Sequence, residues 1–151
     1  MEELNIYCEN TATSCMVPMG LTLKELAEKM CVEKVPQILA ALVDNKLKSL
    51  DYKIINPHNV RFLDYNHPDG RRTYIRSLCF VLQKVVRDMY PDKILAIDYS
   101  LPSGLYCEIR ELTPMDDGRP RVYFVTDAEL ESIEKEMRRV VAADMPFTKK
   151  M

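Results

Sequence analysis

One long helical repeat, set between two strand-rich stretches, constrains this chain more than any other feature. Over residues 72–89, Ile75, Leu78, Cys79, Leu82, Val85, Val86 and Met89 recur at 3.6-residue spacing, and Pro91 follows. Immediately before it, residues 64–70 read Asp-Tyr-Asn-His-Pro-Asp-Gly, a run of turn formers. The spacing predicts a domain boundary there, giving two small domains over residues 1–64 and 65–151. The expected fold class is α+β, because strands and helices fall in separate runs rather than in strict alternation.

The first domain reads strand by strand. Residues 4–8 alternate as a half-buried strand does, residues 10–13 are turn-like, and residues 15–17 return as a hairpin partner. Thr22-Leu-Lys-Glu25 is a capping box, with Leu21 and Leu26 at the spacing of a hydrophobic staple. The helix it opens carries Leu23, Leu26, Ala27 and Met30 on one face. Residues 38–43 read as a buried strand, Asp44-Asn45 as a turn, residues 46–50 as the returning strand and 58–63 as a last strand. That order, β-β-α-β-β-β, predicts a small sheet wrapped on one helix, the β-grasp arrangement.

After the long helix, residues 94–97 and 105–109 read as strands joined across a Pro-Ser-Gly turn, and 121–125 as a short third strand. Thr126-Asp-Ala-Glu129 is a second capping box. Its helix is expected to turn Leu130, Ile133, Met137, Val140 and Val141 inward and to stop before Pro146. Residues 147–151 do not read as a closing element, so this second domain is expected to be partial.

Composition excludes several function classes. Net charge is −2, so phosphate binding needs a local basic patch rather than a global excess. The five cysteines are odd in number and none is paired as Cys-x-x-Cys, which argues for reduced thiols in a cytoplasmic protein and against a zinc knuckle. The N-terminus lacks a signal-peptide pattern and no apolar run spans a bilayer, so no membrane partner is expected. The four glycines, Gly20, Gly70, Gly104 and Gly118, build no phosphate-cradling P-loop.

Catalytic residues are not apparent. His58 and His67 are the only imidazoles, and each sits beside a strand start or a turn that explains it. Asp116-Asp117 lies in a Gly/Pro loop, and Asp127 and Glu129 belong to a helix start. Ser77 and Cys79 have no histidine near them in sequence. One constellation stands out: Arg72, Arg76, Phe80 and Arg87, with Gln83, share a stripe of the long helix separate from its apolar arc, and Arg71 sits at its start. Guanidiniums offer forked donors to phosphate and an aromatic ring can stack a base. The alternative is a solvated, salt-bridged face with Phe80 packed against the neighbouring domain.

Residues 4–63 resemble a TGS domain, the β-grasp module of threonyl-tRNA synthetases, with Ala-Leu-Val-Asp-Asn-Lys-Leu at 41–47 on its characteristic turn. Residues 75–82, 90–97, 101–109 and 126–150 resemble, in order and spacing, the second additional domain of threonyl- and alanyl-tRNA synthetases. In that family the helix carries His-Ser-x-x-His, a pair of imidazoles one turn apart. Here those positions are Arg76 and Phe80, which offer no metal-binding nitrogen. The resemblance therefore implies the fold but not the editing chemistry, the hydrolysis of mischarged tRNA, and no catalytic or metal site is expected.

Some bacterial uridine kinases resemble the same synthetase region ahead of a P-loop kinase domain, and the missing histidines fit that family. The leading expectation is therefore a non-catalytic regulatory region of a uridine (nucleoside) kinase, a transferase. It would bind a nucleotide or similar anion at Arg72, Arg76, Phe80 and Arg87 and act on its own downstream kinase domain. This stretch would hold no cofactor itself, with ATP and Mg belonging to the kinase domain. The other reading is a threonyl-tRNA-synthetase-like, RNA-binding fragment with a degenerate editing site.

Overall fold

A computed structural model describes residues 3–30, 32, 37–102 and 104–148. The fold is α+β, with elements in the order β1 (Glu3–Cys8), β2 (Thr13–Pro18), α1 (Leu23–Lys29), β3 (Ala40–Val43), β4 (Lys46–Lys48), β5 (Asn59–Leu63), α2 (Pro68–Met89), β6 (Lys93–Leu101), β7 (Gly104–Glu111), β8 (Val122–Tyr123) and α3 (Asp127–Ala142). The chain divides into two compact units, residues 1–76 and 77–151, and the division falls inside α2.

The first unit is a five-stranded sheet in the order β2-β1-β5-β3-β4. β1 and β5 run parallel at its centre and the outer pairs are antiparallel hairpins, which is the β-grasp topology. Period-two alternation in β1 sends Leu4, Ile6 and Cys8 to one face, where they meet Val17, Leu23, Leu26, Ala27, Val60 and Phe62 in one core. The Thr22–Glu25 capping box forms as expected: the Glu25 N–H donates to Thr22 Oγ1 at 3.3 Å, and the Thr22 N–H donates to Glu25 Oε2 at 2.8 Å. Asp44 and Asn45 both have positive φ (46° and 62°), the twist-matching conformation of a two-residue hairpin between β3 and β4. Asn10 ties the β1–β2 turn to the centre of the sheet. Its Oδ1 accepts from the Phe62 N–H at 2.7 Å and its Nδ2 donates to the Phe62 carbonyl at 3.1 Å, as a neighbouring strand would.

The helix after this sheet begins earlier than its apolar repeat indicates. His67 caps it, with Nδ1 accepting from the Asp69 N–H at 3.2 Å, and Pro68 takes the first helical position, where no donor is missed. Residues 68–70, expected as a linker, thus form the first turn of α2. Gly70 is required there for space: a Cβ would lie 1.9 Å from the Asp64 carbonyl oxygen.

In the second unit β6, β7 and β8 form an antiparallel sheet in that order. Its core joins Val81, Val85 and Val86 of α2, Ile109 of β7, and Ile133 and Val140 of α3. The Thr126–Glu129 capping box is present, reinforced by the Tyr123 hydroxyl, which donates to Glu129 Oε1 at 2.5 Å. Two positions expected to face inward do not: Leu130 and Val141 are exposed, while Ile133, Met137 and Val140 carry the packing. Among the described residues no helix is long and apolar enough to cross a membrane.

Candidate nucleic-acid interface

α2 runs unbroken past all four candidate positions, and Arg72, Arg76, Phe80 and Arg87 are all exposed along it. Arg72 and Arg76 stand one helical turn apart in the first unit, and Phe80 and Arg87 belong to the second.

The four residues are not equivalent. Arg72 is held by Asp69 one turn back, and that hydrogen bond keeps the Asp69 carboxyl below the usual carboxylate range. Phe80 meets Phe147 edge to face, with ring centroids 5.3 Å apart, yet stays 58% exposed. Arg76 and Arg87 make no ion pair among the described residues.

Charge accounting extends the candidate beyond that stripe. The chain has ten arginines. Arg72, Arg110, Arg119, Arg121, Arg138 and Arg139 each sit against a carboxylate. The four with no direct ion pair to a carboxylate among the described residues are Arg61, Arg71, Arg76 and Arg87, all from β5 to the end of α2, with Arg87 acting on neighbouring Asp88 only through its field. In a chain of net charge −2, these four arginines supply local positive charge within one stretch of sequence. Sequence periodicity sets Arg72, Arg76 and Arg87 on one stripe, and the structure pairs Arg72 with Asp69, three residues earlier. It does not find Arg61, which stands on a strand.

The histidines serve the scaffold. His58 Nδ1 lies 2.6 Å from Asp44 Oδ2, and Asp44 Oδ1 accepts the Asn59 N–H at 2.9 Å. Together these bonds, the backbone one foremost, hold the Asp44 carboxyl below its ordinary range and pin the β3–β4 turn to β5. His67 caps α2. Among the described residues no group of three or more His, Cys, Asp or Glu side chains is placed to hold a metal ion.

No protein-family model matches the chain. Curated relatives do. A threonine–tRNA ligase of Desulforamulus reducens is 29% identical over 129 residues, covering 85% of this chain and 19% of that protein. The ligase of Acetivibrio thermocellus is 30% identical over 125 residues (83% and 18%), and that of Protochlamydia amoebophila 24% over 139 residues (92% and 20%). The chain thus spans about a fifth of the length of the curated relatives it matches. These relatives are ligases and not kinases, which corrects the expectation of a uridine-kinase parent, a transferase with its own kinase domain as partner. Two altered histidine positions suggested that parent, and similarity sustained along most of the chain outweighs them. Over four-fifths or more of its length, this chain is similar in sequence to threonine–tRNA ligases.

Proposed function

We propose that this chain is an RNA-contacting accessory region of a threonyl-tRNA-synthetase-like protein, with residues 1–64 as its TGS domain and 65–151 as a segment like the synthetase second domain. RNA would be held through its phosphates by Arg61, Arg71, Arg76 and Arg87. The observation that carries the reading is that the guanidiniums without a carboxylate ion pair among the described residues all fall in one stretch of the chain, from Arg61 to Arg87. Similarity to threonine–tRNA ligases makes tRNA the natural polyanion.

The same reading assigns no editing reaction to this stretch. Hydrolysis of a mischarged tRNA in the resembling family draws on two imidazoles one helical turn apart. Arg76 carries a permanent charge and no lone pair, and Phe80 has neither donor nor acceptor. An arginine at that position can bind the phosphate of the same substrate without reacting with it. The proposed role is therefore to hold tRNA and not to edit it, in a cytoplasmic protein.

An electrophoretic shift with tRNA at about 0.1 M salt tests this. The expected result is a shifted complex that Arg76→Ala with Arg87→Ala weakens. Absence of any complex at that salt and at tenfold lower salt would remove the proposal.

A further inference from the structure

Beside the unpaired arginines, two tyrosines are left half in solvent. Tyr65 precedes α2 and Tyr74 lies in its second turn, and their rings meet edge to face with centroids 5.2 Å apart. They remain 47% and 42% exposed. Neither hydroxyl has a hydrogen-bond partner among the described residues, so these rings are not placed to satisfy a buried polar group. The Arg71 guanidinium lies 5.3 Å from the centre of the Tyr65 ring, within cation–π range, and makes no ion pair among the described residues.

The tyrosines form one wall of an open hollow of about 510 Å³, lined among the described residues also by Gln37, Leu39, Asp64 and Asn66. That volume lies in the range of small-molecule sites. Two amide side chains line it, which can hydrogen-bond a polar guest. The Asn66 N–H and Nδ2 are both committed to the Asp64 carboxylate, at 2.9 Å and 3.0 Å, which leaves the Asn66 carbonyl oxygen as an acceptor. The Gln37 carboxamide makes no hydrogen bond among the described residues and offers both a donor and an acceptor. Arg71, against the Tyr65 ring, holds positive charge beside the hollow, and Arg61 on β5 lines a neighbouring hollow that shares Asp64 and Asn66 with it.

We infer that Tyr65 and Tyr74, backed by Arg71, form a stacking subsite for an unpaired base of an RNA strand, with its phosphates on Arg71 and Arg61. The arrangement combines an exposed aromatic face, a cation at its edge and amides within the hollow, which is the combination that holds single strands. A duplex presents no free base face, so it gains nothing from the tyrosines. This inference rests on the RNA-contacting reading above and specifies one subsite within it.

The test measures fluorescence anisotropy of a labelled single-stranded RNA of roughly eight nucleotides. The same strand annealed to its complement serves as the duplex comparison, and unlabelled tRNA is run in parallel gel shifts. Tyr65→Ala and Tyr74→Ala are each expected to weaken single-strand binding by about tenfold or more while changing duplex binding less than about twofold. Tyr65→Phe, which keeps the ring, is expected to bind as the parent does, which separates stacking from any loss of fold. Unchanged single-strand affinity in both alanine variants, or equal losses for strand and duplex, would overturn the subsite while a tRNA shift still upheld the broader reading. Failure of the parent chain to bind either the strand or tRNA would overturn both.

Discussion

Gly70→Ala should destabilise the protein at a helical position where that exchange ordinarily helps. In an open helix, alanine gains about 1 kcal/mol over glycine through lower unfolded-state entropy and better propensity. At Gly70 the added Cβ would sit 1.9 Å from the Asp64 carbonyl oxygen and 2.9 Å from its carbonyl carbon. Both are backbone atoms, so no side-chain rotation relieves the contact. The first turn of α2 and the segment 64–67 must separate by about 1 Å or more, in packing that otherwise behaves as a close-packed solid. Overpacking of this kind costs about 1–3 kcal/mol, and a backbone clash belongs at the upper end. The propensity gain offsets part of that, leaving a net loss of about 2 kcal/mol. Urea unfolding followed by circular dichroism reads this as a midpoint lower by roughly 1 M, with an m-value of about 1–3 kcal/mol/M. Gly104→Ala is the control: no atom lies within 4 Å of its added Cβ, and its midpoint should move little. A Gly70→Ala protein as stable as its parent would refute the close approach of the Asp64 carbonyl, and with it the packed entry into α2.

Other consequences follow from the same contacts. Asn10→Ala leaves the N–H and carbonyl of buried Phe62 without their side-chain partners and should lower stability by about 1–3 kcal/mol in the same unfolding assay. Thr126→Ala breaks the reciprocal cap of α3 and should cost about 1 kcal/mol, with Thr126→Ser nearly neutral. The Glu129 carboxyl is held below its ordinary range, first by the Tyr123 hydroxyl and then by Thr126, so its contribution is complete above the usual carboxylate range. That contribution is lost as pH falls through the lower folded value, and Glu129→Gln should flatten the acid side of a melting-temperature profile. Tyr123, pushed up to about 12 mainly by the same bond, loses its contribution as pH climbs from its ordinary value of about 10 toward that figure. Tyr123→Phe should remove that alkaline loss.

Much of the fold was legible because local signals and burial agree. Both capping boxes, the Asp44-Asn45 turn and the alternation of β1 are satisfied within a few residues of where they are read. The errors arise where a distant contact decides. Pro68 and Gly70 read as punctuation, yet Pro68 opens a helix and Gly70 accommodates a carbonyl six residues back. Leu130 and Val141 fit the helical period of α3 but lie at the edges of its buried face, where exposure depends on neighbours that periodicity does not specify. The candidate site was half visible. Helical spacing brings Arg76 and Arg87 to one stripe, but whether an arginine is free depends on which acids reach it. Local spacing reveals this for Arg72 and Asp69 and does not for Arg110, which pairs across the hairpin with Asp98. The Tyr65–Tyr74 contact crosses the turn and first helical residues that were read as a boundary, so no periodic signal could join them.

The affinity of tRNA for this chain, followed across salt concentration in the parent and in the Arg76→Ala, Arg87→Ala double variant, tests the central claim most directly. With up to four phosphates neutralised by Arg61, Arg71, Arg76 and Arg87, the logarithm of the binding constant should fall against the logarithm of salt with a slope of roughly −2 to −4. The double variant should lessen that slope by about 1.5. A slope near zero, or one the two substitutions leave unchanged, would contradict the claim that these guanidiniums hold RNA.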